Sequence, residues 1–165
     1  MTDRPFSILI LCTGNSARSI LAEALINQRG AGRFVAYSAG SFPKGQVHPQ
    51  SLALLQRLGH PVDGLHSKSW DQFAEPGAPE IDAVITVCDN AAGEICPIWP
   101  GAPLKAHWGV PDPPSATGPE AAPAFEETYR KLAKRVDALV ALPVEGMDRS
   151  ALKTNLDAIG KTVDE

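Results

Sequence analysis

Ser7-Ile-Leu-Ile-Leu11 is an almost wholly apolar run, which predicts a short strand buried on both faces. A polar, turn-rich stretch from Cys12 to Ser19 follows it. Ile20, Leu21, Ala24, Leu25 and Ile26 then recur at helical spacing up to Gly30. Phe34-Val-Ala-Tyr37 predicts a second strand. Pro49 suits the first position of a helix whose apolar face is Leu52, Leu54, Leu55 and Leu58 and which Gly59 stops. Ala83-Val-Ile-Thr-Val87 predicts a third buried strand running straight into Cys88, and Leu104 to Trp108 a weaker fourth. After the proline-rich loop Pro111-Asp-Pro-Pro114, Phe125, Leu132, Val136 and Leu139 mark a long helix over about Ala121 to Leu142. A last helix covers roughly Asp148 to Ile159. Lys131, Lys134 and Arg135 read as a solvated face of the long helix.

Strands that alternate with helices predict an α/β fold, with a parallel sheet covered by helices on both faces. No internal repeat, low-complexity tract or linker interrupts the pattern, so residues 1–165 are expected to form one domain. The prolines between residues 76 and 123 are interleaved with apolar residues and read as shaping ordered loops.

Composition narrows the function classes. The apolar content of 44% and formal net charge of -4 are those of an ordinary globular chain. Mild acidity argues against a broad nucleic-acid surface but not against a small anion site, which needs only local dipoles and a few cations. Residues 8–11 are too short a run for a signal peptide or a membrane span, so a cytoplasmic setting is expected. The three cysteines, Cys12, Cys88 and Cys96, are too few and too odd in number for a secreted disulfide framework. His48, His60 and His66 are scattered, without metal-ligand spacing, and no metal or other cofactor is expected.

The chemistry is concentrated between Cys12 and Ser19. A cysteine ends a buried strand, five residues follow, and Arg18 and Ser19 open a helix. In that setting the backbone N–H groups of Thr13, Gly14, Asn15, Ser16, Ala17, Arg18 and Ser19 can form a cup for a tetrahedral oxyanion at a helix N-terminus. Arg18 adds a planar fork of donors for two oxyanion oxygens. The same positive field favours the Cys12 thiolate, to which Ser19 can donate. Gly14 tolerates unusual dihedrals, and Asn15 can lock the loop by local hydrogen bonds. The Cys–Arg spacing alone is a weak motif; the strand before it, the Gly and Asn within it and the helix after it make it specific.

Cys12-Thr-Gly-Asn-Ser-Ala-Arg-Ser19 resembles the active-site loop of the low-molecular-weight tyrosine phosphatases and of the arsenate reductases related to them. Asp112-Pro113 matches the family's general-acid loop. Tyr37-Ser-Ala-Gly40 and Ala106-His-Trp-Gly109 extend the likeness over nearly the whole chain. The resemblance implies a three-layer fold with strand order 2-1-3-4. It also implies that Cys12 is the nucleophile, Arg18 the oxyanion clamp and Asp112 the general acid. His107 and Trp108 read as structural, ending a strand.

A phosphatase has no use for two further thiols, whereas Cys88-Asp-Asn-Ala-Ala-Gly-Glu-Ile-Cys96-Pro97 resembles the redox segment of the arsenate reductases. The resemblance therefore implies reduction of arsenate to arsenite for arsenic detoxification, by a disulfide relay through Cys12, Cys88 and Cys96. Phosphate and sulfate would compete as oxyanions. The reductant would be thioredoxin or a glutaredoxin-type protein, with neither nucleic acid nor membrane as a partner. The alternative is a low-molecular-weight protein tyrosine phosphatase hydrolysing phosphate monoesters. Ala17 stands where some relatives carry a further cysteine, and Cys88 to Cys96 is one residue longer than in some, which leaves both reductants open. Residues 89–95 are expected to form a short helix when the thiols are reduced and to rearrange when Cys88 and Cys96 join. Some relatives hold a potassium ion near the loop. Asn15 and Glu23 match two of its ligand positions, and Lys68 with Ser69 stands where an acidic ligand is expected. Asn15, Glu23 and Lys68 thus form an expected loop-supporting set, in which the Lys68 ammonium replaces the cation.

Overall fold

The computed structural model describes residues 6–12, 18–30, 32–40, 45, 47, 49–60, 62, 65, 67–73, 75, 77, 81–87, 104–108 and 121–162. Four parallel strands, β1 (Phe6–Leu11), β2 (Phe34–Ala39), β3 (Ala83–Thr86) and β4 (Leu104–His107), form one sheet in the order β2-β1-β3-β4. Among the described residues, four α-helices accompany them: α1 (Arg18–Arg29), α2 (Pro49–Arg57), α3 (Ala121–Val140) and α4 (Arg149–Thr162). Ile8, Leu9, Ile10 and Leu11 are all 0% exposed. Successive strand residues point to opposite faces, so layers must cover both sides of the sheet's centre. This is the three-layer α/β arrangement that the sequence pattern predicts.

β2 is longer than the apolar run Phe34 to Tyr37 suggests. Ser38 and Ala39 pair with Ile10 and Leu11 and continue the strand. Polarity hides Ser38 from a hydrophobicity reading, yet it is fully buried, because its hydroxyl has a hydrogen-bond acceptor within the fold. Asn27 of α1 protects the outer edge of β2: its side-chain amide donates to Ala36 O and accepts from Ala36 N. Gly30 sits where a Cβ would lie 2.8 Å from Phe34 Cβ, so the tight turn from α1 into β2 requires a glycine.

α3 packs against α1 and α2, and its Phe125, Leu132, Val136 and Leu139 are all buried. Each such side chain is worth roughly 1.5–3 kcal/mol when fully buried. The exposed pairs Arg29–Asp137 and Arg57–Glu126 cross the same interfaces. They contribute little beside the core, about 0–1 kcal/mol each. Pro123 falls in the first turn of α3, where a missing N–H costs nothing. At the other end Arg33 donates to Val140 O and Leu142 O at 2.7 Å, satisfying carbonyls that the helix leaves open. Asp148 caps α4, accepting from Ala151 N at 2.7 Å.

One reading of α3 is corrected. Lys134 is exposed, but Arg135 is 0% exposed and faces the core with Leu132, Val136 and Leu139. Position decides this: Arg135 lies three residues after Leu132 and four before Leu139, on the apolar stripe. Among the described residues, no helix is long and apolar enough to cross a membrane.

Candidate active site

Cys12 directly follows β1 and is 5% exposed. Its N–H donates to Ala39 O at 3.2 Å, so the hydrogen-bond ladder to β2 carries one residue past the end of β1. Arg18 is the first residue of α1, and Ser19 beside it is fully buried. The nucleophile candidate and the clamp candidate thus flank one short connection between a strand end and a helix start. The first turn of α1 contains no acidic side chain to offset its positive end. A thiolate or an oxyanion there meets an uncompensated helix dipole as well as a guanidinium. Thr13, Gly14, Asn15, Ser16 and Ala17, which complete the proposed cup, lie outside the described residues.

β3 lies beside β1, with Leu11 in register with Thr86. Val87 then donates its N–H to Leu11 O at 2.9 Å. The residue before Cys88 is therefore bonded to the residue before Cys12. Cys88, Cys96, the segment 89–95 and the loop that holds Asp112 lie outside the described residues. β4 completes this end of the sheet: Trp108 N donates to Thr86 O at 2.7 Å, and Thr86 Oγ1 and His107 Nδ1 are hydrogen-bonded at 2.7 Å. Trp108 is 0% exposed and ends its strand as a structural residue. The carboxyl ends of β1, β3 and β4 are where open parallel sheets place their ligand sites.

The structure brings Glu23 and Lys68 to the same place. Ser38 donates its hydroxyl hydrogen to Glu23 Oε1 at 2.5 Å, and Lys68 Nζ donates to Ser38 O at 2.9 Å. Lys68 is half-buried rather than a solvated surface lysine. Burial holds its ammonium pKa below the usual lysine value, and the Glu23 carboxylate partly offsets this. Gly40 N donates to Lys68 O, and Trp70 N to Gly40 O, pinning residues 68–70 along the end of β2. Ser38, the centre of this set, directly precedes Ala39, whose carbonyl accepts from Cys12 N. Sequence reasoning missed Ser38, the member that joins the pair; its place within Tyr37-Ser-Ala-Gly40, next to the site, was the available signal. Among the described residues, no group of three or more His, Cys, Asp or Glu side chains is placed to share a metal ion.

The family described as low molecular weight phosphotyrosine protein phosphatase matches residues 7–155 of this sequence. The chain belongs to that family. Within it, the chain is 33% identical over 131 residues to an arsenate reductase from Halalkalibacterium halodurans, an alignment covering 78% of this chain and 91% of the relative. It is 26% identical over 134 residues to a glutaredoxin arsenate reductase from Synechocystis, covering 81% and 95%. A solved structure of an arsenate reductase in the phosphate-binding state is similar with a TM-score of 0.67 and 25% identity, covering 82% of this chain and 96% of that one.

Proposed function

We propose that this protein reduces arsenate to arsenite with Cys12, Cys88 and Cys96 as a thiol relay, acting as one domain over residues 1–165 in the cytoplasm. The observation that carries the reading is the hydrogen bond from Val87 N to Leu11 O. Neighbouring strands lie about 4.8 Å apart, and each cysteine is one residue beyond a bonded partner. A modest loop shift then suffices for a disulfide, whose Cα atoms lie within about 7 Å. The curated arsenate reductases among the relatives support the same reading.

The steps balance as follows. The Cys12 thiolate attacks arsenate, held by Arg18 and the N–H groups of residues 13–19. Protonated Asp112 delivers a proton to the departing oxygen, which leaves as water. The Cys88 thiolate then attacks Cys12 Sγ. The S–As bond breaks with its electron pair passing to arsenic, so As(V) becomes As(III), arsenite leaves, and a Cys12–Cys88 disulfide remains. The Cys96 thiolate attacks Cys88 Sγ and releases Cys12 as thiolate. An external dithiol protein, thioredoxin or a glutaredoxin-type partner, reduces the Cys88–Cys96 bond. Glu23, Ser38 and Lys68 support the start of the loop from behind, with the Lys68 ammonium in the role of a bound cation.

The test is arsenite production from arsenate with thioredoxin and with glutaredoxin plus glutathione, run beside phosphate-ester hydrolysis. Stoichiometric arsenite with either reductant is the expected result. Ester hydrolysis without arsenite formation overturns the reading in favour of a phosphatase.

A further inference from the structure

His60 is 4% exposed and sits where α1, α2 and α3 meet. α2 closes just before it: Gly59 takes the left-handed φ of +85°, and His60 N donates to Leu55 O at 2.9 Å. From α3 the Tyr129 hydroxyl lies 2.6 Å from His60 Nε2, and the two rings pack edge to face with centroids 5.6 Å apart. From α1 Arg29 hydrogen-bonds the same hydroxyl and pairs with Asp137 at 2.8 Å. Arg57 and Glu126 form an exposed pair between α2 and α3. Residues 56–59 are all exposed, Leu58 among them, so after Leu55 it is His60 that anchors this end of α2 in the fold.

The hydrogens of this cluster can be assigned. A guanidinium only donates, so Arg29 occupies a lone pair of the phenol oxygen and leaves the phenol hydrogen to be given elsewhere. His60 Nε2 is the acceptor within reach. The neutral ring then carries its hydrogen on Nδ1, a buried atom without a hydrogen-bond partner among the described residues. The opposite tautomer would leave both Nδ1 and the phenol hydrogen unmet. A proton added to His60 has only Nε2 to occupy. It displaces the phenol hydrogen from that nitrogen and sets a second cation beside Arg29 around one oxygen. Asp137 is bonded to Arg29 and gives the imidazolium no acceptor. A buried charge in that position is costly, and the ring escapes the cost by moving to water.

We propose that His60 is a proton-operated clasp for the C-terminal end of α2. Neutral, it docks that end on α1 and α3 through Tyr129. Protonated, it leaves its seat and takes the helix cap with it, because its own N–H closes the cap. The N–H groups of Leu58, Gly59 and His60 then lose their bonds to Leu54, Gln56 and Leu55, while the sheet stays folded. The last turn has little apolar burial of its own to resist this. An imidazole titrates between pH 5 and 8, so ordinary acidification operates the clasp.

The experiment is amide hydrogen exchange on the full chain at pH 7.5 and pH 5.5, corrected for intrinsic exchange rates, with imidazole nitrogen NMR spectra beside it. One proton taken up at about 6.5 on opening lowers the protection of residues 58–60 about tenfold at the lower pH. The amides of Ile10 and Ile85 in the sheet should not share the fall. The imidazole signals should report the Nδ1–H tautomer at pH 7.5. His60→Gln keeps a side chain that can bond to Tyr129 but does not titrate, and it should remove the pH step. Equal native protection of residues 58–60 at both pH values overturns the proposal. So does a step that persists in His60→Gln, or a fall that Ile10 and Ile85 share. If His60→Gln does not fold, the native spectra decide: an Nε2–H tautomer at pH 7.5, or protonation of the ring without loss of protection at residues 58–60, overturns it.

Discussion

Ser38 donates its hydroxyl hydrogen to Glu23 across 2.5 Å, while its carbonyl receives the Lys68 ammonium. One buried serine thus joins a carboxylate on α1 to a cation that precedes the turn at residues 70–73. Lys68→Met removes the donor to Ser38 O and the positive neighbour of Glu23. A stability loss of about 1–3 kcal/mol is expected, the cost of leaving such groups unmet, measured by urea unfolding. The native enzyme should be indifferent to replacing sodium by potassium, and Lys68→Met should gain activity from potassium. Equal responses of the two proteins to potassium would remove Lys68 from the cation's role.

The three cysteines should separate by assay. Cys12→Ser is expected to abolish arsenate reduction and any ester hydrolysis, because a serine hydroxyl is a poor nucleophile at neutral pH and cannot enter a disulfide. Cys88→Ser and Cys96→Ser should stop multiple turnover but spare ester hydrolysis. Cys96→Ser should complete one turnover and leave a Cys12–Cys88 bond, visible by peptide mass spectrometry. Normal cycling by both variants with thioredoxin or glutaredoxin would eliminate the relay.

Gly160→Ala tests the approach of α4 to β4. On an open helix face the change would gain about 1 kcal/mol of helix propensity. Here the new Cβ would run into the His107 carbonyl, and backbone cannot yield as a side chain can. Overpacking of this kind costs about 1–3 kcal/mol, so the sign should reverse to net destabilisation. A variant with a raised unfolding midpoint would show that α4 does not sit this close.

His60 should make stability fall with acidification. It is buried, its Nε2 is hydrogen-bonded to the Tyr129 hydroxyl at 2.6 Å, and its Nδ1 has no hydrogen-bond partner among the described residues. Burial, and then the Arg29 charge, hold its pKa below the ordinary value of 6.5. The unfolded chain therefore takes up this proton first as pH falls through 6.5, and the folded state loses stability from there downward. Above 6.5 the group contributes no slope. His60→Phe should lower stability at pH 7 by loss of the Tyr129 bond, yet show a shallower decline between pH 7 and 5. An unchanged decline would assign the acid sensitivity to other groups.

The sequence by itself determined the fold class and the family to which the chain belongs. Ile8 to Leu11 and Ala83 to Val87 are legible as buried strands because strands covered on both faces tolerate no polar alternation. Cys12 and Arg18 are legible because an anion cup demands particular residue types at a fixed spacing along one local segment. Tertiary structure decided what depends on partners distant in the chain. Ser38 reads as polar and outside the strand until Glu23 accepts its hydrogen bond. Arg135 reads as solvated until the Trp108 carbonyl is brought within 3.0 Å of it. Gly160 falls just past the last helix that the pattern predicts, yet it lies within α4 and against β4. In each case a polar or small residue acquires its role from a group on another element, and the energy of that pairing exists only once the sheet and helices are assembled.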